Sequence, residues 1–137
     1  MKKIIITFGL IICVFPATAV LQSKPDGKSP CRSVNGTQAE SNACARLKYR
    51  QADGEMKEVY RRLISELSKY SNDGKLRRKL EQAQWLWLLY RDANCGSEAL
   101  IYHGGSIRPA VYNSCLSSIT EGRTKRIKIF FETITKQ

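Results

Sequence analysis

Three stretches of the chain place apolar side chains in steps of three and four, the spacing that lines one face of an α-helix. In the first, the stripe is Ala45, Tyr49, Ala52, Met56, Tyr60, Leu63, Leu67 and Tyr70, with Lys48, Arg50, Lys57, Arg61 and Arg62 on the opposite side. Thr37-Gln38-Ala39-Glu40 precedes it and reads as a capping box. The Thr37 hydroxyl can accept from the Glu40 amide while the Glu40 carboxylate reaches back to the Thr37 amide. The spacing predicts a helix from there to about Tyr70. Ser71-Asn72-Asp73-Gly74 is a turn cluster, where the chain should reverse.

The second stripe is Leu76, Leu80, Ala83, Trp87 and Tyr90, and Trp85, Leu86, Leu88 and Leu89 fill the rest of the circumference. A helix that is apolar nearly all round is normally buried among others. The stretch Glu81 to Cys95 is therefore expected to be central and buried, in a helix from about Lys75 to Asn94. It is bounded by charges too soon to span a bilayer. Gly96 to Arg108, with His103-Gly104-Gly105-Ser106 at its centre, reads as a loop. Pro109 suits the first turn of a third helix, whose stripe is Tyr112, Leu116, Ile119, Arg123, Ile127, Phe130 and Ile134. Gly122 is a weak point inside it. The short link between the first two helices favours an antiparallel pair. The predicted fold is all-α: a small disulfide-stapled helical bundle built on a long antiparallel helical hairpin plus a third helix.

The N-terminus changes the picture of what folds. Lys2 and Lys3, the apolar run Ile4 to Phe15, Pro16 and Ala17-Thr18-Ala19 form the n-region, h-region and A-x-A site of a secretory signal peptide. Residues 1–19 are expected to be cleaved after Ala19, residues 20–36 to form a polar arm and residues 37–137 the helical domain. The expected location is periplasmic or secreted, with no transmembrane segment after cleavage. Cys13 follows Ile12, whereas a lipid-anchored cysteine wants a small residue before it, so lipidation is not expected.

Removal of the signal leaves Cys31, Cys44, Cys95 and Cys115. An even count in an exported chain implies two disulfides. Zinc is disfavoured by the wide spacing, the lack of a C-x-x-C pair and a single histidine, His103. All four cysteines fall at the end of the hairpin away from the turn. Spacing does not choose among the three pairings. The two local bonds, Cys31–Cys44 and Cys95–Cys115, are favoured, and the alternative crosses the hairpin as Cys44–Cys95 with Cys31–Cys115.

The whole chain carries a net charge of +11, and loss of Lys2 and Lys3 would leave +9. In an exported protein this points away from nucleic acid and toward an anionic envelope surface, wall polymer or acidic protein. No catalytic constellation is apparent. Any base-activated nucleophile would have to use His103, and Ser106 and Cys95 have no spacing that suits it. Glu81, Asp92 and Glu98 are better read as surface or structural acids than as a glycosidase pair. The Gly-Gly-Ser run lacks the ending of a phosphate-binding loop. No cofactor or metal is expected. Arg91-Asp92 just before the clamped loop reads either as a structural ion pair or as a support that presents it. The candidate partner-binding residues are Arg91, Asp92, His103, Gly104, Gly105 and Ser106.

Thr37-Gln38-Ala39-Glu40, Asn42-x-Cys44-Ala45 and Tyr49-x-x-Ala52-Asp53-x-Glu55-Met56 with Tyr60 resemble the first half of a known family. Ala83-Gln84-x-x-Trp87-x-x-x-Arg91-Asp92-Ala93-x-Cys95, Gly104-Gly105-Ser106, Cys115-Leu116 and Thr120-x-x-Arg123-Thr124 resemble its second. The chain is similar, from Cys31 to about Lys128, to the LprI-type lysozyme-inhibitor N-terminal domain. The resemblance implies an exported envelope protein with a disulfide-bonded helical domain, and a protein partner of lysozyme type. Gly54 and Lys57 depart from the pattern, which would soften the middle of the first helix. Asp53, Glu55 and Glu58 are the acids that could form a local patch toward a basic lysozyme. The other readings are a basic envelope-binding module for anionic lipid or wall polymer, and an immunity protein against a delivered toxin.

Overall fold

The computed structural model describes Cys31, residues 36–70 and residues 74–136. The expected signal peptide, most of the arm and Ser71 to Asp73 lie outside the described residues. Three helices follow in order: α1 (Gln38–Tyr70), α2 (Lys75–Leu100) and α3 (Arg108–Thr135).

Local chemistry sets the helix ends. Thr37 Oγ1 accepts from the Glu40 amide at 3.3 Å, and the Thr37 amide donates to Glu40 Oε2 at 2.7 Å. This reciprocal pair satisfies two donors that the first turn of α1 would otherwise leave open. Gly74, at φ 64°, precedes α2, a left-handed conformation open to a residue without a Cβ. Pro109 stands in the first turn of α3, where its missing N–H removes no helical bond. Gly54 lies inside α1, which continues through it without a break.

The chain runs up, down and up again. Along α2, Gln84 reaches Met56, Arg91 reaches Asp53, and beyond its end Ser106 meets Asn42. The partners on α1 fall in number as those on α2 rise, so the two are antiparallel. Along α3, Lys128 pairs with Glu55 and Phe131 lies under Arg62, so α3 runs parallel to α1. Helices α1 and α3 approach along most of their length, while α2 lies against α3 and stands further from α1. The α1 stripe includes Ala45 and Ala52, and the inner face of α3 includes Ser117, Thr120 and Thr124. These small or short side chains allow close backbone approach.

The core is Met56, Leu63, Leu67, Ile127 and Ile134, with Val59, Tyr60, Leu80, Trp87, Phe130 and Phe131 packed around it. Each fully buried Leu or Ile contributes roughly 1.5–3 kcal/mol relative to exposure. Leu63 and Leu67 are closed off from solvent, which makes the lower half of α1 the spine of the bundle.

Two expectations are corrected. The Trp-rich helix is not buried all round. Trp85, Leu86, Leu89 and Tyr90 are half or more exposed, and the buried residues of α2 are Gln84, Arg91, Cys95 and Ala99. Three helices give α2 neighbours on one side only, so the opposite side has nothing to pack on. The segment from Gly96 is also not all loop. Gly96 to Leu100 continue α2, and the turn is confined to residues 101–107. Cys95 and Ala99 are buried one turn apart, and that contact extends the helix past Gly96 despite about 1 kcal/mol of poor glycine propensity.

Candidate partner-binding site

The disulfides are Cys31–Cys44 and Cys95–Cys115. Cys44 lies near the start of α1, Cys95 near the end of α2 and Cys115 in the second turn of α3, so both bonds sit at one end of the bundle. The second joins residues 20 apart and straddles the turn between α2 and α3. Within that turn the His103 amide donates to Leu100 O at 3.0 Å and the Gly105 amide to Tyr102 O at 3.0 Å. Gly104 takes φ 77°, which a residue bearing a Cβ adopts only with strain. At Gly105 a Cβ would sit 3.2 Å from Tyr102 O, so the backbone closes over itself there.

His103, Gly104, Gly105 and Ser106 are thus brought together on an exposed tip. Every residue from Ile101 to Pro109 is solvent-exposed. Asn42, near the start of α1, donates its Nδ2 to Ser106 O at 2.9 Å. This ties the tip to a helix remote in sequence. The side chain was visible as part of the pattern around Cys44, but no local signal linked it to Ser106.

Arg91 and Asp92 belong elsewhere. Arg91 is about 13 Å of helix away from the end of α2, at 1.5 Å per residue. Its side chain is only 7% exposed and occupies a polar seam between the helices. Nε and Nη2 donate to Asp92 Oδ1 at 2.9 and 2.8 Å, and Nη1 lies 3.5 Å from Asp53 Oδ1. The guanidinium covers the Trp87 ring at 5.1 Å and the Tyr49 ring at 5.5 Å. Arg123 of α3 lies 5.6 Å from the same Trp87 ring and donates Nε to Gln84 Oε1 at 3.0 Å. Gln84 in turn donates Nε2 to Met56 Sδ at 3.4 Å. Burial pushes the Arg123 guanidinium down and the Tyr49 and Tyr60 phenols up; the Arg91 charge partly offsets the rise at Tyr49. This seam absorbs Tyr49, Asp53, Met56, Gln84, Trp87, Arg91 and Arg123. Sequence reasoning missed it as a unit, because its members are spread over three helices.

The acids weighed as a patch are each engaged. Asp53 pairs with Lys57 at 2.6 Å, Glu55 with Lys128 at 2.6 Å and Glu58 with Arg61 at 2.8 Å. No group of metal ligands occurs among the described residues, and no helix there is long and apolar enough to cross a membrane.

The pattern that joins both disulfides, the seam and the turn is matched as a whole. The model of the family "Lysozyme inhibitor LprI" covers residues 31–127. The chain belongs to the LprI family. An uncharacterized protein of Rhizobium meliloti (strain 1021) is 32% identical over 133 residues, covering 90% of this chain and 91% of that protein. No solved structure matches the chain. The LprI match spans the seam, the tethered turn and all of α2, and LprI is a family of inhibitors rather than of enzymes.

Proposed function

We propose that the protein is exported to the cell envelope and there inhibits a lysozyme-type wall hydrolase by docking the turn at residues 101–107. The LprI match over residues 31–127 carries this reading. The turn suits the role on physical grounds. It is exposed, tethered by Asn42 and straddled by Cys95–Cys115, so little conformational entropy is lost when it docks. Residues 101–109 contain His103 and Arg108 and no acid. A glycoside hydrolase holds two carboxylates in its cleft, and a tip with positive charge and no negative charge complements them. Because Asp53, Glu55 and Glu58 are paired, a hydrolase with a neutral or acidic cleft rim fits better than one with a strongly basic surface.

A wall-lysis assay tests the reading. The oxidised protein is titrated against lysozymes of several types, with a reduced sample beside it. Inhibition that falls at least tenfold in His103→Ala/Arg108→Ala and in Gly104→Ala/Gly105→Ala, with helix content unchanged, is expected. Inhibition indifferent to these changes removes the turn from the mechanism. No inhibition of any type removes the hydrolase.

A further inference from the structure

The inward row of α3 is apolar at Ile127 and Phe130, but Arg123 stands in the same row, one turn before Ile127. A charge on a core-facing stripe has to find water or a partner. The fold places it at a cleft of about 190 Å³ between the three helices. The cleft is lined by Leu63 of α1, Leu80 of α2 and Arg123, Arg126, Ile127 and Phe130 of α3. Leu63 and Ile127 are buried and form its floor, Leu80 and Phe130 are half-buried walls, and Arg126 is exposed at the mouth. Four apolar side chains thus share one space with two guanidinium groups.

The two cations have no anion. Among the described residues no ion pair reaches Arg123 or Arg126. Glu81, an acid that shares the surroundings of Tyr60 with Arg123, is held by Arg77 at 2.8 Å. The company of Arg123 is neutral. Its Nε donates to Gln84 Oε1 at 3.0 Å, the Trp87 ring lies 5.6 Å away, and Nη2 is shut off from water with no hydrogen-bond partner. Burial pushes this guanidinium down. Arg91 covers the same Trp87 ring and is flanked by the carboxylates of Asp92 and Asp53; Arg123 is given neither. A cation drawn partly out of water without an anion costs free energy that an arriving anion would offset.

We infer that this cleft binds a single-chain anionic amphiphile, with its tail between Leu63, Leu80, Ile127 and Phe130 and its carboxylate or phosphate head on Arg123 and Arg126. Size, polarity and charge select this class together. An apolar cavity of ~150 Å³ lined by Leu, Ile and Phe accepts a benzene ring, so the present one takes a short length of alkyl chain. A sugar or other polar ligand would leave hydroxyls unpaired against Leu63 and Ile127. A neutral hydrocarbon would leave both arginines as they are. The planar guanidinium fork matches a carboxylate or phosphate with two parallel hydrogen bonds.

Titration of octanoate into the oxidised protein, followed by methyl NMR, tests the site. Saturable one-to-one binding tighter than about 1 mM is expected, with shifts concentrated at Leu63, Leu80 and Ile127. A parallel titration with octyl phosphate distinguishes the head groups, the tighter binder naming the one the arginines prefer. Octanol, which lacks the charge, and butyrate, which lacks the tail, should each bind at least tenfold more weakly. Arg126→Gln should weaken octanoate at least tenfold with helix content unchanged, because the position is exposed. Leu80→Trp should abolish binding by filling the cleft while both arginines remain. No saturable binding of either anion overturns the inference. Octanol or butyrate bound as tightly as octanoate overturns it too, as does binding that survives both variants. Wall lysis is read separately, so failure at this cleft leaves the proposed function untouched.

Discussion

The Arg91 guanidinium of α2 lies 3.5 Å from the Asp53 carboxylate of α1, and this contact joins two helices whose backbones otherwise stand apart. Asp92 and Asp53 flank the buried cation while Trp87 and Tyr49 cover it. Arg91→Ala should therefore destabilise the fold by about 3 kcal/mol, since it empties the seam and strips Asp53 of one partner. Arg91→Met should lose less, because it keeps the volume and Asp53 retains Lys57 at 2.6 Å. Urea unfolding of both variants measures this. A change in Arg91→Ala within about 0.5 kcal/mol would make the residue an ordinary surface arginine.

Thr120 poses the opposite case. It is closed off from solvent, and its Oγ1 has no hydrogen-bond partner. A buried hydroxyl without a partner carries its full desolvation penalty. Thr120→Val should leave stability unchanged or raise it by up to about 1 kcal/mol. A loss above that size in thermal unfolding would show that the hydroxyl has a partner the helices conceal.

The two disulfides should open in order. Cys31 is exposed, whereas Cys95 is fully buried, and thiol exchange requires access to sulfur. Mild reductant should break Cys31–Cys44 first, read by alkylation and peptide mapping. Loss of Cys95–Cys115, which closes a loop of 20 residues, should lower stability by about 3 kcal/mol in the chain-entropy picture.

Alkaline pH should weaken the fold. Tyr49 and Tyr60 have phenols raised above the ordinary 10.0, chiefly by burial. The protonated forms are favoured in the folded state, so their contribution is complete below the unfolded value. It is lost as pH rises through the folded values. Melts recorded across pH 8 to 11 should fall above about pH 10, and Tyr49→Phe/Tyr60→Phe should flatten that decline. An unaltered slope in the double variant would place the alkaline sensitivity elsewhere.

The legible parts of the chain were those written in near neighbours. The capping box at Thr37 and Glu40 spans three residues, Gly74 lies at the end of a turn cluster, and Pro109 suits the first turn of a helix. The stripes of α1 and α3 were also legible, because these two helices pack on each other along most of their length. Leu63, Leu67, Ile127 and Ile134 are buried where the period of 3.6 puts them. The tip was half legible: its glycines announced a bend, and Asn42 as its tether did not.

From its own order the chain determines three helices, most of their ends and the apolar stripes of the first and third, since capping, turn residues and helical period act within a few residues. Only the tertiary structure decides which side of α2 turns inward. By composition both sides are apolar, and the inner one carries the more polar residues, Gln84 and Arg91. The choice is made by what α1 and α3 offer: Asp53 for the cation, Arg123 for the amide and Cys115 for Cys95. Those partners are 20 to 39 residues away in the chain, beyond the reach of any local pattern. Their pull leaves Trp85, Leu86, Leu89 and Tyr90 on the outside.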